Sequence, residues 1–89
     1  MPGKIPSGEV LLGWRQVVGR ECLRRRMSLC LTQSDVAYWT GWTRTTVLAI
    51  EKGRQSISLD QLMTLAALYN CHIADLLPGE VTRSGHIRY

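Results

Sequence analysis

The side chains best equipped for chemistry in this sequence are its guanidinium groups. Nine of the 11 cationic residues are arginine, a planar five-donor fork suited to phosphate oxygens and to the paired acceptors of guanine. They gain meaning from their place in the stretch LTQSDVAYWTGWTRTTVLAIEKG, Leu31 to Gly53. There Val47 and Ile50 recur at spacing three, while Arg44, Thr45, Leu48, Ala49 and Lys52 fall on the opposite edge of the same helical turn pattern. A helix over about 43–52 would thus be pinned by aliphatic residues on one side and present donors on the other. Enzyme chemistry finds no comparable set: there is no nucleophile with a base and an orienter, no paired carboxylates and no phosphate-cradling glycine loop. His72 and His86 lack neighbouring ligands at metal spacing. Cys22, Cys30 and Cys71 are odd in number and contain no CxxC pair, which fits a reducing cytoplasm. No catalytic residue, metal or cofactor is expected.

The elements that must hold that edge can be read from caps and breakers. Pro2, Gly3, Pro6, Ser7 and Gly8 make residues 1–9 a flexible lead-in. Val10, Trp14, Val18 and Cys22 then step by four, the stripe of an amphipathic first helix running to about Met27, weakened slightly by Gly13 and Gly19. Cys22 on that stripe reads as a small core residue rather than a reactive thiol. Thr32 with Asp35 forms a capping box for a short second helix from Gln33 to about Trp39. Ala37 is small where a steeply crossing helix must come close, Gly41 is the permissive hinge four residues later, and Thr43 caps the third helix, which Gly53 stops. Ser58 with Gln61 repeats the capping box for a fourth helix, with Leu59, Leu62, Leu65, Ala66 and Tyr69 on one face and Asn70 at its end. A last short helix, about Ile73 to Leu77, stops at Pro78, and a polar tail covers 78–89. No β alternation appears, so the expected class is all-α with five helices in one domain over 10–77.

Length and charge narrow the function classes. Eighty-nine residues build a single core and no interdomain cleft. The apolar fraction is 45% and the charged fraction 20%, which is globular composition, and no apolar run approaches the length of a membrane span. The net charge is +4, and it is unevenly placed. Residues 9–31 set five arginines (Arg15, Arg20, Arg24, Arg25, Arg26) against Glu9 and Glu21. Residues 55–77 carry only Asp60 and Asp75. The positive field belongs to the first three helices, pointing to a polyanion on that side. Membrane attachment through Arg24 to Arg26 lacks an apolar opposing face and aromatic anchors; that run otherwise reads as a solvated face.

LTQ, the alanine, the glycine, TRTT and IEKG in one register resemble the Cro/λ-repressor-type helix-turn-helix family, also called the xenobiotic-response-element family. SLDQLMTLAALYNCHIADLL, Ser58 to Leu77, is similar to that family's fourth and fifth helices. The resemblance covers residues 10–77 and implies a five-helix DNA-binding domain with the helix-turn-helix at helices 2 and 3. It further implies that the third helix enters the major groove of double-stranded DNA. Arg44, Thr45, Ala49 and Leu48 then match base-contacting positions, with Arg44 able to bond guanine O6 and N7 together. Thr32, Gln33, Thr43, Thr46, Lys52 and Arg54 match phosphate positions, although Thr32 and Thr43 can equally serve as caps alone. The resemblance also implies a structural ion pair between Arg26 and Glu51. A sequence-specific regulator, a repressor acting as a homodimer through helices 4 and 5 on a near-palindromic operator and associated with the nucleoid, follows as the expectation.

This chain departs from the family pattern at several places. Thr40 stands where leucine or valine is usual, Trp42 where a smaller aliphatic is usual, and Cys30 where glycine is frequent at a tight turn. Tyr38 and Trp39 occupy positions that tend to be polar. Either they are exposed for a protein partner, or repacking around Thr40 buries Trp39. The first case, together with the apolar Leu48 and Ala49 on the free edge of the third helix, motivates a second reading, an antitoxin-like or adaptor module that holds a protein, with DNA binding secondary or lost.

Overall fold

The computed structural model describes residues 5–79. Among them five helices follow one another with no strand: α1 (Gly8–Ser28), α2 (Gln33–Thr40), α3 (Arg44–Glu51), α4 (Leu59–Leu68) and α5 (Ile73–Leu76). The expected tail beyond Gly79, with His86, lies outside the described residues, as do the first four positions of the lead-in. α1 begins two residues before its apolar stripe because Ser7 caps it, its hydroxyl accepting from the Val10 N–H at 3.2 Å. Thr32 and Asp35 close a reciprocal capping box on α2 with bonds of 2.8 and 3.0 Å. Ser58 and Gln61 do the same on α4, both bonds at 3.0 Å.

Four helices end by the same device, a left-handed residue that lets the chain fold back on the last carbonyls. At Gly41 (φ 79°) and Gly53 (φ 69°) the residue is glycine, but at Cys30 (φ 58°) and Asn70 (φ 54°) it is not. Cys30 nevertheless completes the turn: its N–H donates to the Met27 carbonyl at 3.0 Å and the Leu31 N–H to the Arg26 carbonyl at 3.1 Å. A cysteine there is tolerated at a cost of about 1 to 2 kcal/mol in backbone strain. α4 ends at Leu68 with Tyr69 as its cap, so Asn70, expected at the helix end, is the reversing residue one position beyond the cap.

Every helix contributes to one core. Val36, Leu76 and Cys22 are its most deeply buried side chains, joined by Val18, Val47, Ile50, Leu62, Leu65, Ala66 and Tyr69. Burial pushes the Cys22 thiol up to about 12, so it stays protonated and inert. The Tyr69 hydroxyl is buried without a hydrogen-bond partner among the described residues, and burial raises its pKa above the ordinary phenol value.

Two expected core residues lie outside. Val10 is 44% exposed and Leu59 64%, because each sits in the first turn of its helix, where the apolar face runs past the packed region. α1 and α3 meet at Gly19: a Cβ there would stand 2.5 Å from the carbonyl oxygens of both Ile50 and Glu51. The mid-helix glycine that weakens the pattern of α1 is the point at which the two backbones pass. No helix among the described residues is long and apolar enough to cross a membrane.

Candidate nucleic-acid interface

The turn between α2 and α3 is three residues, Gly41, Trp42 and Thr43. Gly41 sits at φ 79° and donates its N–H to the Ala37 carbonyl at 2.9 Å, closing α2. Ala37 itself is buried. Thr40 takes a part that an aliphatic residue would not: its hydroxyl donates to the Val36 carbonyl at 2.8 Å and accepts from the Trp42 N–H at 3.2 Å. One side chain thereby bonds both sides of the turn. Trp42 packs partly buried against the core, beside Val47, Ile50, Leu65 and Tyr69. The unusual pair at 40 and 42 thus exchanges an aliphatic contact for a hydroxyl bridge and an indole. Thr43 caps α3 by accepting from the Thr46 N–H at 3.1 Å, and the two hydroxyls lie 3.1 Å apart.

α3 is fixed from behind by Val47 and Ile50, 3% and 4% exposed, and from its end by Glu51. The Glu51 carboxylate is buried and accepts three bonds: Arg26 Nε at 2.7 Å, the second Arg26 nitrogen at 3.1 Å and the Gln33 side-chain amide at 3.1 Å. The remaining Arg26 nitrogen donates to the Leu31 carbonyl at 2.8 Å. One guanidinium therefore ties the end of α1 to the following turn and to the last residue of α3, while Gln33 adds the start of α2. The carboxylate holds the Arg26 pKa above its ordinary value. The side-chain amide of Gln33, expected on a phosphate, is turned inward to Glu51, because a buried carboxylate with an unused lone pair is the stronger acceptor within reach. What Gln33 still offers outward is its backbone N–H in the first turn of α2.

Along the opposite edge of α3, Arg44 and Thr45 are exposed and Leu48 and Ala49 half-buried; Lys52 and Arg54 are exposed at its far end. Arg44 shares an open groove with Thr32, Gln33 and Ser34, so the starts of α2 and α3 face one space. The Thr32, Thr43 and Thr46 hydroxyls lie around those two helix starts. Thr32 and Thr43 are both caps, each keeping a hydroxyl hydrogen or lone pair for another partner.

Charge is partitioned more sharply than the composition suggests. Arg24 and Arg25 both bond Glu21, the latter at 2.9 Å, and Arg24 foremost holds the Glu21 carboxyl below its usual range. Arg25 faces the joint with Asn70, His72 and Asp75, away from α3. The three arginines of the run share two carboxylates, Glu21 and Glu51, which leaves a single net charge there. Among the described residues Arg15, Arg20, Arg44, Lys52 and Arg54 have no carboxylate partner. Tyr38 and Trp39 are 79% and 67% exposed, stacked edge to face with ring centroids 5.5 Å apart. Repacking around Thr40 does not bury Trp39, since Trp42 occupies the core position instead.

A short capped helix crossed by a second, with a reversing glycine between and a buried arginine–glutamate tie behind, defines a helix-turn-helix domain. The family model of the Cro/C1-type helix-turn-helix DNA-binding domain matches residues 23–78, more than half of the sequence, and the chain belongs to that family. Its structure is similar to the restriction-modification controller protein C.AhdI from Aeromonas hydrophila, with 24% identity over 71% of this chain and 96% of that one and a TM-score of 0.67. It is also similar to the BldD DNA-binding domain from S. venezulae (22% identity, 74% and 99% covered, TM-score 0.67). A third likeness is to NHTF, a hypothetical transcription factor from Neisseria (26% identity, 94% of both chains, TM-score 0.69). The first two likenesses are of fold alone. No curated protein sequence matches.

Proposed function

We propose that this chain is a transcription regulator that reads double-stranded DNA by sequence, with α3 in the major groove and Arg44 bonded to a guanine. One observation carries the reading: Arg44 stands exposed, with no carboxylate partner among the described residues, at the start of a helix whose other edge is locked into the core. An α-helix with its side chains is about 10 to 12 Å across, and the major groove is about 12 Å wide, so α3 is of a size to enter it. Thr45, Ala49 and Leu48 complete the base-facing edge. Thr32, the Gln33 backbone N–H, Thr43, Thr46, Lys52 and Arg54 contact phosphates around it. A domain this small reads too few bases for tight binding alone, so two copies on a near-palindromic site, joined through α4 and α5, complete the regulator. The exposed Leu59 and Met63 on α4 supply apolar surface for that contact. Repression, by occupying such a site, is the expected sign.

Selection of bound sequences from random duplexes is the test. An enriched, roughly two-fold symmetric site is expected. Arg44→Ala should relax the preference at one position per half-site, with a loss of about 1 to 3 kcal/mol in discrimination there. The exposed Tyr38 and Trp39 pair favours a second reading, a protein-holding module on the same fold. Failure to enrich any sequence would move the balance to it.

A further inference from the structure

Among the described residues, three of the five cations without a carboxylate partner converge. Arg20 of α1, Lys52 at the end of α3 and Arg54 two residues later line one groove with Gln16. The two segments are brought together by the backbone approach at Gly19, and by Gly53, where a Cβ would stand 2.8 Å from the Gln16 Cα. Glu51 also borders the groove, but its carboxylate is taken up by Arg26 and Gln33. All three cations are exposed, and none has a carboxylate partner among the described residues. Like charges gathered in one concave surface repel each other unless an anion is shared between them. The groove lies at the end of α3 opposite Arg44, so a duplex running along the outer edge of α3 meets both ends.

We propose that Arg20, a residue of α1 outside the helix-turn-helix itself, is a DNA phosphate-binding residue acting together with Lys52 and Arg54. This inference rests on the reading of the chain as a DNA-binding regulator. It adds to that reading a contact from the long first helix, which makes α1 a part of the DNA surface as well as a scaffold. A phosphodiester oxygen in this groove can accept from the Arg20 fork while Lys52 or Arg54 neutralises its charge.

The test is the affinity of the full chain for its selected duplex and for an unrelated duplex across a salt series. Arg20→Gln should weaken both complexes alike and make the log–log salt slope shallower by about 0.9, the signature of one lost phosphate contact. Arg20→Lys should keep the slope. Arg15→Gln removes the same charge from the same helix outside the groove and should leave the slope unchanged. Thermal midpoints equal to that of the unsubstituted protein show that folding is not the cause. A wild-type slope in Arg20→Gln, or an equal loss in Arg15→Gln, overturns the proposal while leaving DNA binding intact. If the unsubstituted protein binds neither duplex, the regulator reading falls and this inference with it.

Discussion

Burying the Glu51 carboxylate is tolerable only because three donors reach it, and that fact governs what its neighbours can be. Arg26 contributes two of the three bonds and is itself mostly shielded from solvent, its side chain 11% exposed. Replacing Arg26 by methionine leaves the charge in place with a single amide for company. The expected loss is about 3 to 5 kcal/mol of unfolding free energy in urea melts. The double change Arg26→Met with Glu51→Met removes both charges and should recover much of that loss, because an apolar pair of similar volume is often as stable as a buried ion pair. A double variant no better than the single one would mean that Arg26 acts by its bond to the Leu31 carbonyl and not through Glu51. Gln33 belongs to the same account. Its amide serves the carboxylate, so any phosphate contact there comes through the backbone.

α1 shows how differently two glycines act in one helix. Gly13 and Gly19 both reduce helix propensity, and sequence pattern alone treats them alike. In the structure nothing lies within 4 Å of a Cβ at Gly13, whereas at Gly19 a Cβ would collide with two backbone carbonyls of α3. Gly13→Ala should therefore stabilise the protein by about 0.5 to 1 kcal/mol. Gly19→Ala should destabilise it and, by pushing α1 off the end of α3, weaken DNA binding as well. Thermal melts of the two variants check this; equal behaviour would show that the close passage is not needed.

For the whole molecule the decisive quantity is where charge goes unneutralised. Three arginines of α1 share Glu21 and Glu51, leaving one net charge in the run, and the described cations with no carboxylate partner lie on α1, on α3 or just after it. Two hydrogen-bonded carboxylates, Glu21 and Asp35, contribute to the response to acid. Glu21, held low by Arg24 and Arg25, and Asp35, held low chiefly by the Thr32 backbone N–H, have folded pKa values beneath their ordinary 4.5 and 3.8. In the window between, the unfolded chain binds more protons than the folded one, so stability rises with pH. Their contribution is complete above the ordinary values and is lost as pH falls through the lower folded ones. Urea midpoints followed downward from neutral pH should drop in that window, and Glu21→Gln combined with Asp35→Asn should flatten the drop. An unaltered pH profile in the double variant would place the acid sensitivity elsewhere.

The caps, the Gly41 hinge and the inward spacing of Val47 and Ile50 were legible in the residues, since each depends on neighbours within four positions. So were the five helices and the register of the helix-turn-helix. The exposure of Val10 and Leu59 is not legible there, because periodicity tells which way a side chain points but not whether anything lies opposite. The side on which Trp39 ends, the inward turn of Gln33 and the meeting of Arg20 with Lys52 depend on how separate helices pass in space. Those contacts join positions as many as 32 residues apart, and packing of the folded chain alone fixes such distances.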